Sequence, residues 1–210
     1  MCVVVYYYII KKGIKIMIYV PTPCKEQVEK YLMKWENLPN YVMQENSLNK
    51  LFFELAPYNK CIEDILIKCS TLNDFYSTNI FSIYPIAEHI LELNIDNRLD
   101  NADSALVHDI AHVNISGHNK YFYSFASKYC SHHRPLDYPI YDNYVVKILK
   151  HFKKIDCFSK FTMDDLKNDY SFFKNVLLDF RKFYNIEEYN LKDLDRYLWQ
   201  LGKEYYPNKY

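Results

Sequence analysis

The stretch "YSFASKYCSHHRPLDYPIYDNYV", residues 123–145, decides how the chain is read. Its first half carries aromatic and small residues at helical spacing, within a helix expected over 120–132. Pro135 and Pro139 then interrupt the pattern, and a single carboxylate, Asp142, stands at the start of the next helix, expected over 141–154. An aspartate in that place is an ordinary helix cap, or it presents its carboxylate to something bound in a cleft.

Outward from this stretch the 3.6-residue period dominates. It places further helices near 24–37, 43–55, 59–70, 78–93, 101–112, 163–168, 170–184 and 190–204. Residues 2–20, "CVVVYYYIIKKGIKIMIYV", are instead β-branched and aromatic runs broken at Lys11, Lys12 and Gly13, which reads as a β-hairpin. The expectation is a compact, mainly helical protein, with a β-hairpin over 1–22 and a helical domain over 23–210.

Composition narrows the function classes. The three glycines, Gly13, Gly117 and Gly202, leave no glycine-rich phosphate loop. The six cysteines have no CxxC spacing and read as reduced, mostly buried thiols of a cytoplasmic protein. His118, Cys130, His132 and His133 lack metal-ligand spacing, so no metal is expected. No apolar run is long enough to span a bilayer. Net formal charge is zero, but from Asn114 to Lys154 seven Lys and Arg residues face only Asp137 and Asp142. Such a basic segment is either a solvated helix face or a polyanion site. The preceding stretch, 88–109, is acidic.

Two segments carry a resemblance. "YPIYDNYV", residues 138–145, looks like the Pro-Ile-x-Asp turn of the helix-hairpin-helix superfamily of DNA glycosylases, those with the 8-oxoguanine-glycosylase-like fold. Upstream, "LNDFYSTNI", residues 72–80, lies where that family has a Gln-x-Thr-polar-aliphatic run. The resemblance covers roughly residues 60–154. It implies that Asp142 is the catalytic carboxylate. Eighteen positions upstream stands Ser124, where strand-cleaving members have lysine and adenine glycosylases a small hydroxyl residue. It further implies that Tyr76 fills the gap left by an extruded base, with Thr78 and Asn79 following at a helix start. Asn73 and Trp199 are further candidates for the base pocket. Backbone contacts fall to Gly117, His118, Lys120, Lys128 and Lys147.

One departure concerns the hairpin. The family carries Gly-x-Gly just before the Lys or Ser position, and here Lys120 and Phe122 occupy those places. Lys120 and His118 would then supply charge where the family uses close backbone approach. The chain also lacks the cysteine cluster of iron–sulfur relatives.

The expectation is therefore a monomeric, monofunctional DNA glycosylase that flips a damaged or modified base out of duplex DNA, with modified phage DNA among the candidate substrates, and leaves an abasic site. It would need no metal or organic cofactor. Two other classes remain open: a noncatalytic DNA-binding module of the same fold, and a helical protein-interaction domain using the acidic stretch.

Overall fold

The computed structural model describes residues 6–11 and 14–207, with side chains from Tyr19 onward. The chain is mainly α. Strands β1 (Tyr6–Lys11) and β2 (Ile14–Tyr19) form an antiparallel pair in which Tyr6 faces Tyr19. The expected turn residues, Lys12 and Gly13, lie outside the described residues. Helices α1 (Lys25–Glu36) and α2 (Pro39–Asn49) follow, and α2 runs on as a π-helical turn, Lys50–Leu55. Next come α3 (Ile62–Phe75), α4 (Ile83–Leu93), α5 (Asp96–Asp100) and α6 (Leu106–Ala111). A second hairpin, β3 (His112–Ile115) and β4 (His118–Tyr121), leads into α7 (Tyr123–His133). The chain ends with α8 (Asn143–Asp156), α9 (Met163–Asn168), α10 (Tyr170–Phe183) and α11 (Leu191–Tyr205).

These elements form two compact units. Residues 1–37, 142–161 and 176–210 make the first, and 38–141 with 162–175 make the second. The N-terminal hairpin falls in the first unit, with α1, α8 and α11.

In the first unit α11 is the central helix. Asn190 caps it by accepting from the Lys192 and Asp193 backbone N–H groups, and Asp193 returns a bond to the Asn190 N–H. Its buried stripe of Leu191, Leu194, Leu198 and Leu201 is the one the sequence spacing predicts. Gln200 donates to the Tyr31 carbonyl of α1 at 2.8 Å. Phe152 of α8 packs edge-on against Phe180 and Tyr184.

The second unit is built around α7, which is buried along almost its whole length although it carries Ser127, Lys128, Ser131, His132 and His133. Buried polar groups cost stability unless paired, and Asn59 does much of the pairing. Its amide oxygen accepts from Lys68 Nζ (2.7 Å) and Tyr129 OH (2.5 Å). Its amide nitrogen donates to Asp96 (2.7 Å) and to His133 Nε2 (3.2 Å). Accepting there keeps the His133 ring neutral, in line with a pKa pushed down to about 3 by burial and then by Lys68. Lys68 is fully buried and also donates to the Ala56 and Tyr58 carbonyls, closing the end of the π-helical turn.

The second hairpin is the main departure from the expected secondary structure, which left residues 113–119 as a connection between two helices. Its turn is Ser116-Gly117, both with positive φ (51° and 81°), the conformation a two-residue hairpin loop requires. Asn114 holds the turn by accepting from the Gly117 N–H and donating to Asn119.

His108 pins the base of this hairpin. The Tyr170 backbone N–H donates to His108 Nε2 at 3.0 Å, so Nδ1 carries the ring proton and donates to Tyr121 OH at 2.8 Å. Tyr121 OH in turn donates to the Lys167 carbonyl at 2.8 Å. The ring stacks on Tyr123 at 5.0 Å. Burial, then the neighbouring His112, hold the His108 pKa below its ordinary value against the pull of Asp169 and Asp109. A depressed histidine pKa makes the unfolded chain the better proton acceptor. Stability from this latch is therefore complete above the unfolded histidine pKa of about 6.5, and falls as pH drops through that value toward the lower folded one. His108→Gln, which keeps an acceptor and cannot titrate, is expected to flatten this acid loss in thermal melts. An unaltered pH dependence in the variant would show that the latch does not titrate.

Candidate functional site

Asp142 is the N-cap of α8. Its backbone is extended (φ −131°, ψ 147°), and its Oδ1 accepts the Tyr144 N–H at 2.7 Å. Among the described residues Oδ2 receives no hydrogen bond. The two readings of this residue are therefore compatible, because capping occupies one oxygen and leaves the other available.

Ser124 lies on the first turn of α7 and is half-buried. Its hydroxyl donates to the Tyr141 carbonyl at 3.0 Å and accepts from Lys128 Nζ at 2.5 Å. The Tyr141 N–H is taken as well, donating to Ser127 Oγ at 3.0 Å. Thus the residue immediately before Asp142 has both backbone polar groups held by serines one turn apart on α7.

Lys128 departs from its expected place. It is only 4% exposed, with Nζ over the Tyr76 ring at 5.2 Å as well as against Ser124. One helical turn separates Lys128 from Ser124, and the aromatic face accommodates the cation. A side chain so enclosed does not reach a DNA backbone. Lys147 is partly exposed, but its ammonium donates to the Tyr206 carbonyl at 3.1 Å and lies over the Tyr144 ring. His118 and Lys120 of β4, and Gly117 at the turn, are exposed. A Cβ at Gly117 would meet nothing within 4 Å, so the hairpin tip is open to approach.

The loop after α3 is also rearranged. Tyr76 is turned inward, its hydroxyl 2.9 Å from His132 Nε2. Thr78 and Asn79 do not start a helix: α4 begins at Ile83, and Asn79 adopts a left-handed φ of 57°. Asn73 explains the loop, since its side chain accepts from Thr78 Oγ1 (2.6 Å) and the Ile80 N–H (2.9 Å) and donates to the Ile80 carbonyl (3.1 Å). Asn73 is thus committed to shaping the loop rather than to meeting a base. The aromatic side chain this loop presents is Phe81, 96% exposed, which sequence spacing gave no reason to single out.

Trp199, expected near a base pocket, packs edge-on against Trp35 (6.0 Å) and Tyr144 (6.2 Å) in the first unit, with Lys203 over its ring. Cys69 and Cys130 are buried, and burial pushes the Cys69 thiol up to about 12. Cys61 and Cys157, however, are exposed. Among the described residues no three His, Cys, Asp or Glu side chains converge on one point, and no helix is long and apolar enough to cross a membrane.

Comparison with known proteins points to a family. The family model described as HI_0787_N, N-terminal domain, matches residues 27–137, more than half of the chain. The chain belongs to this family. The match includes Ser124, Ser127 and Lys128 and ends ahead of Asp142. An uncharacterized protein of Haemophilus influenzae strain Rd is 52% identical over 147 residues, which is 70% of either chain. No solved structure matches.

Proposed function

We propose that the chain is a monofunctional DNA glycosylase that removes an extruded damaged or modified base by hydrolysis. The observation that carries this reading is the Asp142 carboxylate, anchored through Oδ1 and with no hydrogen bond to Oδ2 among the described residues. It follows a segment whose last peptide groups are gripped by α7.

As the bond between sugar C1′ and the base nitrogen breaks, its electron pair leaves with the base, which takes up a proton from solvent. That proton is matched by the one that the attacking water later releases by way of the carboxylate. Positive charge develops on the sugar, and a fixed carboxylate nearby stabilises it. Water then adds to C1′ and gives its proton to the carboxylate. Tyr76, turned inward onto His132, does not stand clear of its own protein as an aromatic wedge must. Exposed His118 and Lys120 suit phosphate contacts.

Ser124 provides no amine for a Schiff base, and Lys128 is enclosed against Ser124 and Tyr76. Duplex oligonucleotides carrying modified bases should therefore acquire alkali-labile abasic sites without strand breakage, and borohydride should trap no covalent adduct. A trapped adduct that disappears in Lys128→Met would instead make Lys128 the nucleophile. Absence of alkali-labile sites across a broad panel of modified bases would favour a noncatalytic binding module.

A further inference from the structure

Residues 138–141 form no regular element, yet side chains hold this backbone at successive points. Tyr170 OH donates to the Pro139 carbonyl at 2.7 Å. Ser124 Oγ donates to the Tyr141 carbonyl, and the Tyr141 N–H donates to Ser127 Oγ, both at 3.0 Å. Ser127 Oγ passes its own proton to the Ser124 carbonyl at 3.0 Å. Lys128 Nζ closes the set on Ser124 Oγ at 2.5 Å, with a longer contact to the Ser124 carbonyl at 3.4 Å. The Tyr141 ring is wedged against Tyr123 (4.6 Å) and Phe173 (5.2 Å).

Each bond has a direction. A hydroxyl has one proton and two lone pairs. With the ammonium donating into one lone pair, the Ser124 proton is turned to the Tyr141 carbonyl. The serine proton goes to a peptide oxygen and not to the lysine, so this is not a nucleophilic serine activated by a basic amine.

We propose that Ser124, Ser127 and Lys128 are positioning residues: together they clamp both peptide groups of Tyr141 and so fix the direction in which the chain enters Asp142. The positioning role rests on the glycosylase reading of Asp142. The clamp itself does not.

The test uses the full chain and two duplex oligonucleotides of one sequence. One carries a neutral tetrahydrofuran abasic analogue, the other a cationic pyrrolidine analogue that mimics the charged sugar whatever base is removed. Wild type is expected to prefer the pyrrolidine duplex by about tenfold or more, as binding of a transition-state mimic requires. Asp142→Asn should abolish that preference. Lys128→Met and Ser124→Ala should cut it to about threefold or less, with affinity for the tetrahydrofuran duplex unchanged and Ser124→Thr restoring the preference. If Lys128→Met does not fold, the Ser124→Ala and Ser124→Thr pair carries the comparison.

Hydrogen exchange at the Tyr141 amide provides a separate measurement, expected to accelerate about tenfold or more in Ser127→Ala. No wild-type preference for the cation would defeat the glycosylase reading and, with it, the positioning role. A preference retained in the folded clamp variants would overturn positioning alone. Unchanged Tyr141 exchange in Ser127→Ala would overturn the clamp.

Discussion

Asp142→Asn is expected to slow base release by at least about a hundredfold, the usual cost of losing one preorganised electrostatic group, while the protein stays folded. The two effects separate because the carboxylate has two oxygens with different duties. Oδ1 accepts the Tyr144 N–H, and an asparagine carbonyl oxygen can do the same. Asparagine caps helices about as well as aspartate, so little stability is at stake in the cap. Loss of the negative charge beside the α8 N-terminus costs roughly 0.3–1 kcal/mol more. What asparagine cannot supply, on the proposed glycosylase reading, is the charge that would meet a sugar cation. Affinity for duplex DNA should hold or rise, since a carboxylate that repels phosphate has gone. Single-turnover release on the substrate, measured beside a thermal melt, tests both halves. A folded variant with unchanged turnover would leave Asp142 a helix cap and nothing more.

How much of this was legible depended on where each residue's partners lie. The Asp142 cap and the start of α8 could be read because Pro139, Asp142 and the helical period are close together in sequence. The C-terminal amphipathic helix was legible for the same reason. The second hairpin was not, because its four-residue strands are too short to show alternation against helical neighbours. The start of α4 was misplaced because Asn73 reaches forward to hold Thr78 and Ile80, so the helix expected from residue 78 begins only at Ile83. Lys128 read as a surface cation because lysines seldom lie inside. Its enclosure depends on Tyr76, 52 positions away in sequence, and no local pattern announces that contact. Ser127 was overlooked for a similar reason, as its partner is the backbone of Tyr141.

Gly202→Ala is expected to destabilise the first unit although alanine is the better helix former. In a helix interior the change from glycine gains about 0.8–1 kcal/mol. Against this, a Cβ at residue 202 would stand 2.5 Å from the Tyr144 carbonyl oxygen, 2.7 Å from its Cβ and 2.8 Å from its carbonyl carbon. Those are main-chain atoms and a Cβ, so no rotamer change relieves the overlap, and α8 and α11 must move apart. Overpacking of this kind costs roughly 1–3 kcal/mol and occasionally more, and a clash with backbone belongs at the upper end. The cost exceeds the gain by about 2 kcal/mol, which for a chain of this size lowers the melting midpoint by roughly 4–8 °C. Gly202→Val should lower it further. The residue it presses on matters for chemistry too, because the Tyr144 N–H holds Asp142 Oδ1. A shift of the first turn of α8 moves that donor, so base release should fall more than the melt alone explains when both are measured well below the midpoint. An unchanged or raised midpoint in Gly202→Ala would mean that the helices separate at little cost, and the close crossing of α8 and α11 would lose its place in holding Asp142.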